Sequence, residues 1–342
     1  MDIDWMVLLS YYGTGKTILL LERAEFLLRD QRNTVHFVVD NANSGIIEVL
    51  KLRFGCNSNI KIKTTHRDQD LLSDGVNPTD HLIIDEAYVN TTRKFLSDLQ
   101  LLKSGVSSLW VAIGSFSSTE DANFNESDFR KGLEDIHFYC PTLTHCLRNG
   151  QKILKEALKD KSKGGLNCLA DQVKVKTNVN DGLLYEMPHI YQDPIKALQE
   201  TLKVHDSKRT FIVLDKYIGL EMSSLKEAIP EHDFVTFEDK EALKKWLEST
   251  NMNHHLVLQG FDVWNTQVSG MEFKNMLFLY SVCLKCNFGY KDARILTRAK
   301  ASLVIARYQN ENCNCTNCTQ YWASSNPRFR FKIEQKMQET KN

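Results

Sequence analysis

The stretch Met6-Val-Leu-Leu-Ser-Tyr-Tyr-Gly-Thr-Gly-Lys-Thr17 passes from an apolar run through a glycine turn into a helix-like run, Ile18 to Leu28. Strand, glycine turn, Lys-Thr and helix form the layout of a phosphate-binding loop. Backbone N–H groups of such a turn, together with the positive end of the following helix, cradle an anion. Gly13 and Gly15 let the backbone approach it closely, Thr14 lies between them, Lys16 is placed for the β and γ phosphates, and Thr17 offers a hydroxyl to Mg²⁺. The stretch departs from the strict pattern at its first position, where Ser10 stands in place of glycine.

Working outward, short apolar runs alternate with helical patterns. Strands are expected at Met6–Ser10, Val35–Asp40, Ile60–Thr64, His81–Asp85 and Leu109–Gly114, then at Thr210–Asp215, Phe234–Phe237, His255–Gln259, Met276–Val282 and Ser302–Ala306. They are rich in Val, Ile and Leu without strict alternation, as strands covered on both faces are. Helices are expected between them, among others at Thr17–Arg29, Thr91–Lys103, Gln151–Lys159, Ile195–Lys203 and Lys240–Ser249. The repeated β-then-α order predicts an α/β fold with mainly parallel sheets. A polar stretch, 160–181, marks the expected division into residues 1–160, residues 161–312 and a cysteine-rich, charged tail, 313–342.

Bulk properties narrow the function classes. The chain has 342 residues, 42% apolar and 25% charged, with a formal net charge of zero. That length accommodates about two domains. Zero net charge argues against a strong electrostatic nucleic-acid footprint. No apolar run approaches the roughly 20 residues of a membrane span, and no signal peptide is visible. Nine cysteines lack the density of a secreted disulfide scaffold, so a reducing intracellular setting, cytoplasmic or nuclear, is expected. The chain opens almost directly on its first strand, as an excised domain of a longer protein would.

A second element supports the loop. His81-Leu-Ile-Ile-Asp-Glu-Ala87 reads as a strand ending in adjacent carboxylates. In a phosphoryl-transfer site Asp85 would hold Mg²⁺ and Glu86 would polarise the attacking water. A strand end suits this, because ligands of open parallel sheets bind beyond the carboxyl ends of the strands. The alternative is a helix N-cap followed by a first-turn acid.

Three further segments complete an ordered set: Leu143-Thr-His-Cys-Leu-Arg-Asn149, Val268-Ser-Gly-Met-Glu-Phe273 and Tyr290-Lys-Asp-Ala-Arg-Ile-Leu-Thr-Arg-Ala-Lys300. With the loop and the DEA pair, the sequence resembles the superfamily-1 helicase ATPase core, which carries these motifs in this order, and within it most resembles the helicase-like domain of schlafen proteins. The resemblance implies two tandem RecA-like domains that bind ATP with Mg²⁺ in the cleft between them and hydrolyse it, with single-stranded nucleic acid as a partner. It implies Lys16, Thr17, Asp85 and Glu86 in the roles above, Arg148 and Arg298 as arginine fingers, and Glu272 at the nucleotide ribose. A guanidinium fork suits transition-state charge on a phosphoryl group. The plain alternatives are surface ion pairs for the arginines and a solvated acid for Glu272. A different class of function, a slow nucleotide-dependent switch within a larger protein, stays open beside turnover.

The sequence also departs from that family. Tyr88 stands where a glutamine is usual, Ser115-Phe-Ser-Ser118 lacks the γ-phosphate-sensing glutamine, and Ser269 replaces a lysine. No adenine-reading glutamine precedes the loop. These departures bear on hydrolysis rate, base selectivity and force coupling rather than on nucleotide binding. Thr64-Thr-His66 resembles a nucleic-acid-contacting segment of the family, and a strand-end turn explains it equally well.

Cys283-Leu-Lys-Cys286 follows one expected strand and Cys313-Asn-Cys-Thr-Asn-Cys318 the next. If those strands are parallel neighbours, Cys283, Cys286, Cys315 and Cys318 offer a tetrahedral Zn²⁺ site, with a group of free thiols as the alternative. Cys56, Cys140, Cys146 and Cys168 read as structural.

Overall fold

The computed structural model describes residues 3–40, 45–65, 76–146, 148–159, 166–175, 182–205, 209–215, 218, 220–261, 271–283, 288–289 and 293–309. The chain falls into two compact units: Met1–Leu147 with Lys163–Lys176 and Thr266–Met271, and Arg148–Ser162 with Thr177–Asn265 and Glu272–Asn342. Each is built from a parallel sheet flanked by helices.

In the first unit the chain runs β1 (Trp5–Leu8), α1 (Lys16–Leu28), β2 (Val35–Val39), α2 (Ile46–Phe54), β3 (Ile60–Thr64), β4 (His81–Val89), α3 (Thr92–Lys103), β5 (Ser108–Phe116), α4 (Ser118–Asn123) and α5 (Glu126–Asp135). The sheet order is β1-β5-β4-β2-β3, every pair parallel. One strand, β5, therefore separates the phosphate-loop strand from the carboxylate strand. The free edge of β1 is bridged in parallel by Tyr139 and Thr142. Helix α1 buries Leu20, Leu21, Ala24 and Leu27, a stripe at helical spacing, against β2, whose five residues are all buried. Thr91 caps α3 by accepting from the Lys94 N–H, and Asn125 caps α5. A short pair, β6 (His145–Cys146) with β7 (Lys174–Val175), joins a 3₁₀ turn at Asn167–Gln172 to this unit. The Tyr12 hydroxyl, in the phosphate loop, accepts the Leu166 N–H at 3.1 Å.

The second unit holds α6 (Gln151–Ala157), β8 (Leu183–Tyr191), α7 (Pro194–Val204), β9 (Phe211–Asp215), α8 (Met222–Ala228), β10 (Asp233–Thr236), α9 (Lys240–Glu248), β11 (His254–Phe261), β12 (Phe273–Cys283), β13 (Phe288–Gly289), α10 (Ala293–Leu296) and β14 (Ala299–Gln309). Its order is β10-β11-β9-β12-β14-β8, all parallel, with β13 turned back antiparallel on β12. The core beneath it gathers Leu198, Leu202, Ile212, Leu214, Val257, Leu277 and Val304. Asp193, followed by Pro194, starts α7, and Asp239 starts α9.

The α/β fold with parallel sheets is the one expected from the sequence, and three local readings change. Strand β4 does not end at Asp85 but runs on to Val89. Strand β5 likewise continues through Ser115 to Phe116, and Ser117 caps α4 directly, so the segment after Gly114 is not an open loop. Strand β8 lies where no strand was read. It is an edge strand with most of its residues off the core, and it carries Pro188, which only an edge or a bulge tolerates. The ladder with β14 slips at that point, and the Arg307 guanidinium donates to the Pro188 carbonyl at 3.1 Å.

Candidate functional site

The phosphate loop, Ser10–Gly15, joins the carboxyl end of β1 to the start of α1. Gly13 has φ 77° and Gly15 φ 97°, left-handed values that glycine adopts without strain. Thr14, between them, donates to the Tyr11 carbonyl at 3.0 Å, and its oxygen is 2.5 Å from the Ser10 hydroxyl. The odd Ser10 thus has a local purpose: with Thr14, both buried, it pins the loop across its base. Lys16 folds back over the loop, its Nζ donating to the carbonyls of Ser10 at 2.8 Å and Tyr11 at 3.0 Å. No side chain caps α1, and no acid stands in its first turn. The first N–H groups of α1 therefore keep their anion-binding character.

Asp85 and Glu86 sit beside this loop on β4, in a β-bulge rather than at a strand end. On the β2 side Val39 pairs with Asp85, while on the β5 side the ladder jumps from Ile84–Val111 to Ala87–Ile113. Glu86 carries the extra residue's strain, with φ 59°. A non-glycine residue held there costs about 1–3 kcal/mol and persists only where its surroundings impose it. Asp85 is 1% exposed. One of its oxygens accepts the Glu86 N–H at 2.9 Å, and among the described residues Oδ2 has no hydrogen-bond partner. Burial and the neighbouring Glu86 charge push the Asp85 carboxyl up to about 7, against the opposing pull of Thr17 and Lys16.

The remaining expected site residues lie in the second unit. Arg148 Nε donates to Glu272 Oε1 at 2.7 Å, and Lys300 Nζ stands 3.1 Å from Glu272 Oε2. Burial pushes the Glu272 carboxyl up, but Arg148 and Lys300 outweigh it and hold the group below its ordinary value. Asn149, fully buried, donates to the carbonyls of Thr297 and Ala299 at 2.8 and 2.6 Å, tying the start of α6 to the α10–β14 connection. Arg298 is buried in that connection, its carbonyl accepting the Phe273 N–H at 2.9 Å. The structure thus gathers Gly13, Thr14, Gly15, Lys16, Thr17, Asp85 and Glu86 in one unit, and Arg148, Glu272 and Arg298 in the other.

Sequence reasoning passed over Asp40, Asn149 and Lys300. Asp40 carried a usable signal, a lone carboxylate directly after the mainly apolar run Val35-His-Phe-Val-Val39 and hence on the ligand-binding edge of a parallel sheet.

The four cysteines proposed for zinc fall outside the described side chains: Cys286, Cys315 and Cys318 wholly, Cys283 in all but its backbone. Strands β12 and β14 are parallel neighbours. Among the described residues no group of three or more His, Cys, Asp or Glu could hold a metal ion. Among the described residues Cys56, Cys140, Cys146 and Cys168 form no disulfide, and burial pushes Cys140 up to about 11 and Cys168 higher still.

No protein-family model and no curated protein matches the chain. Among solved structures it is similar to a DEAD-box helicase, Mss116 bound to ssRNA and UDP-BeF, with 12% identity and a TM-score of 0.42 over 94% of this chain and 69% of that one. It is similar to a Sulfolobus solfataricus SWI2/SNF2 ATPase core domain, with 9% identity and a TM-score of 0.29 over 89% and 81% of the two chains. A Pyrococcus furiosus Hef helicase domain gives 10% identity and 0.32 over 94% and 95%. These structural neighbours are helicase-like ATPase cores; no residue's role here follows from them. No helix among the described residues is long and apolar enough to cross a membrane.

Proposed function

We propose that this protein binds a nucleoside triphosphate, ATP in the first instance, at the loop of its first unit and hydrolyses it with Mg²⁺. The observation that carries this reading is the buried Asp85 beside Thr17 and Lys16: one carboxylate oxygen has no hydrogen-bond partner among the described residues, and the carboxyl is pushed up to about 7. A buried carboxyl in that condition is one that a cation would complete. Mg²⁺ takes hard oxygen donors, and the Thr17 hydroxyl and the Asp85 carboxylate fit it. When bound it would neutralise charge on the phosphates. The chain's own residues supply the rest. The loop N–H groups and α1 receive the phosphates, Lys16 exchanges its loop carbonyls for phosphate oxygens, and Glu86 orients and deprotonates the attacking water. The schlafen-like kinship belongs to this proposal and rests on the sequence motifs, as does any response to single-stranded nucleic acid.

A second reading, nucleotide binding with little turnover, has one observation in its favour. In Ser115-Phe-Ser-Ser118, the segment where the γ-phosphate-sensing glutamine is expected, Phe116 is buried at 2% exposure and β5 closes at once into α4.

One assay separates the two: phosphate release from ATP and GTP, with and without single-stranded DNA or RNA, for wild type and Glu86→Gln. Hydrolysis predicts Mg²⁺-dependent release that falls about 100-fold or more in Glu86→Gln while binding persists. The switch predicts tight binding without release. No binding, with Lys16→Ala indistinguishable from wild type, contradicts both.

A further inference from the structure

We propose that Gly114, on β5, and Asp40, directly after the end of β2, are positioning residues that hold Glu86 where it acts on water. This rests on the preceding reading of Glu86.

The bulge explains why two brackets are needed. Strand β4 carries two residues, Asp85 and Glu86, past the single Ala112 of β5, then skips Gly114 before Tyr88 pairs with Ser115. Glu86 takes φ 59°, a conformation its own side chain disfavours. Something outside the residue must select it.

On the β5 side that is the missing side chain of Gly114. A Cβ there would lie 2.3 Å from Glu86 Oε2, 2.6 Å from its Cα and 2.8 Å from its carbonyl carbon. Two of those three atoms are backbone and cannot swing aside. Glu86 therefore lies directly against the bare backbone of Gly114, and any side chain at that position drives it away.

On the β2 side the bracket is Asp40. Strand β2 ends at Val39, one residue short of the segment beyond the bulge. The Asp40 N–H donates to the Asp85 carbonyl at 2.9 Å. Its Oδ2 accepts the Tyr88 N–H at 2.9 Å, and its Oδ1 accepts the Thr65 hydroxyl at 3.2 Å. The carboxylate supplies the acceptor that the ended strand no longer provides, so Asp85 and Tyr88 are fixed on either side of Glu86. Neither Gly114 nor Asp40 is a catalytic residue in this arrangement; both act through Glu86.

The test is a kcat-against-binding split. Gly114→Ala should lower kcat by about 10- to 100-fold, toward the Glu86→Gln level, while calorimetric affinity for a non-hydrolysable Mg²⁺·ATP analogue stays within about threefold. Asp40→Ala should lower kcat by about tenfold. Asp40→Asn keeps an oxygen for the Tyr88 N–H and should recover most of that loss. A structural role alone would move affinity, melting temperature and kcat together. If Gly114→Ala does not fold, the Asp40 pair carries the test. Wild-type kcat in Gly114→Ala, or equal losses in Asp40→Asn and Asp40→Ala, overturns the positioning while leaving hydrolysis in place. A wild type that binds nucleotide through Lys16 but releases no phosphate overturns the hydrolytic reading first, and the positioning with it.

Discussion

Two clusters of charge, one in each unit, answer the same problem in opposite ways. In the first unit Asp85 is buried with one oxygen unpartnered among the described residues and its carboxyl pushed up to about 7. In the second, Glu272 is clamped between Arg148 and Lys300 and held below its ordinary value. Burying a carboxylate is costly unless it is paired. The Glu272 cluster resolves that cost within the protein. The Asp85 cluster leaves it standing, and adds the strained Glu86 beside it. A site kept uncompensated is one that a ligand can complete, whereas a site already compensated contributes order. The difference teaches where in this molecule binding energy is to be found.

The largest expected effect sits on the uncompensated side. Because the folded-state Asp85 carboxyl titrates near 7 and an unfolded one near 3.8, the unfolded chain gives up that proton first as pH rises. The nucleotide-free protein should therefore lose stability from about pH 4 to pH 7 and stay penalised above it. Asp85→Asn removes the penalty and should stabilise the nucleotide-free protein at pH 8 by on the order of 2–4 kcal/mol, measured by urea unfolding, while abolishing hydrolysis. A destabilised Asp85→Asn protein would break the comparison at its root.

On the compensated side the sign reverses. Glu272→Gln leaves the partly buried Arg148 and Lys300 without their carboxylate and should cost about 1–3 kcal/mol in the same measurement. An unchanged midpoint would show that the clamp holds nothing together.

The same contrast divides what is legible in the sequence from what is not. The loop from Ser10 to Thr17 and the strands around it could be read because their chemistry is local: glycines for a turn, unbroken apolar runs for strands covered on both faces. The bulge at Asp85–Glu86 could not, because it is set by a missing side chain at Gly114 on one neighbouring strand and by Asp40 just past the end of another. Strand β8 escaped for a related reason. Its exposed edge, with Pro188 at the slip, lacks the apolar run that marked its neighbours, and its place is defined by pairing with β14. Arg148 and Glu272 were each read alone, and their mutual contact joins residues far apart in the chain.

The smallest effect sharpens the contrast further. In the second unit His255 is wholly buried and shares a 2.7 Å contact with His232, and burial together with its histidine neighbours pushes it down to about 3. A histidine with a lowered folded-state value contributes stability that is lost as pH falls below its ordinary 6.5. His255→Gln should flatten that acid limb, by about 1–2 kcal/mol at pH 5. The two units then carry opposite pH slopes, one set by Asp85 and one by His255. Acid unfolding that does not change in His255→Gln would remove that part of the contrast.

The central claim is that the first unit binds nucleotide through its loop. Isothermal titration of Mg²⁺·ATP into the wild-type protein and into Lys16→Ala tests it most directly. The account predicts saturable one-site binding to wild type, weakened on the order of 100-fold in Lys16→Ala, which loses a charge-assisted contact to phosphate. Binding of equal strength in both proteins, or none in either, would contradict it.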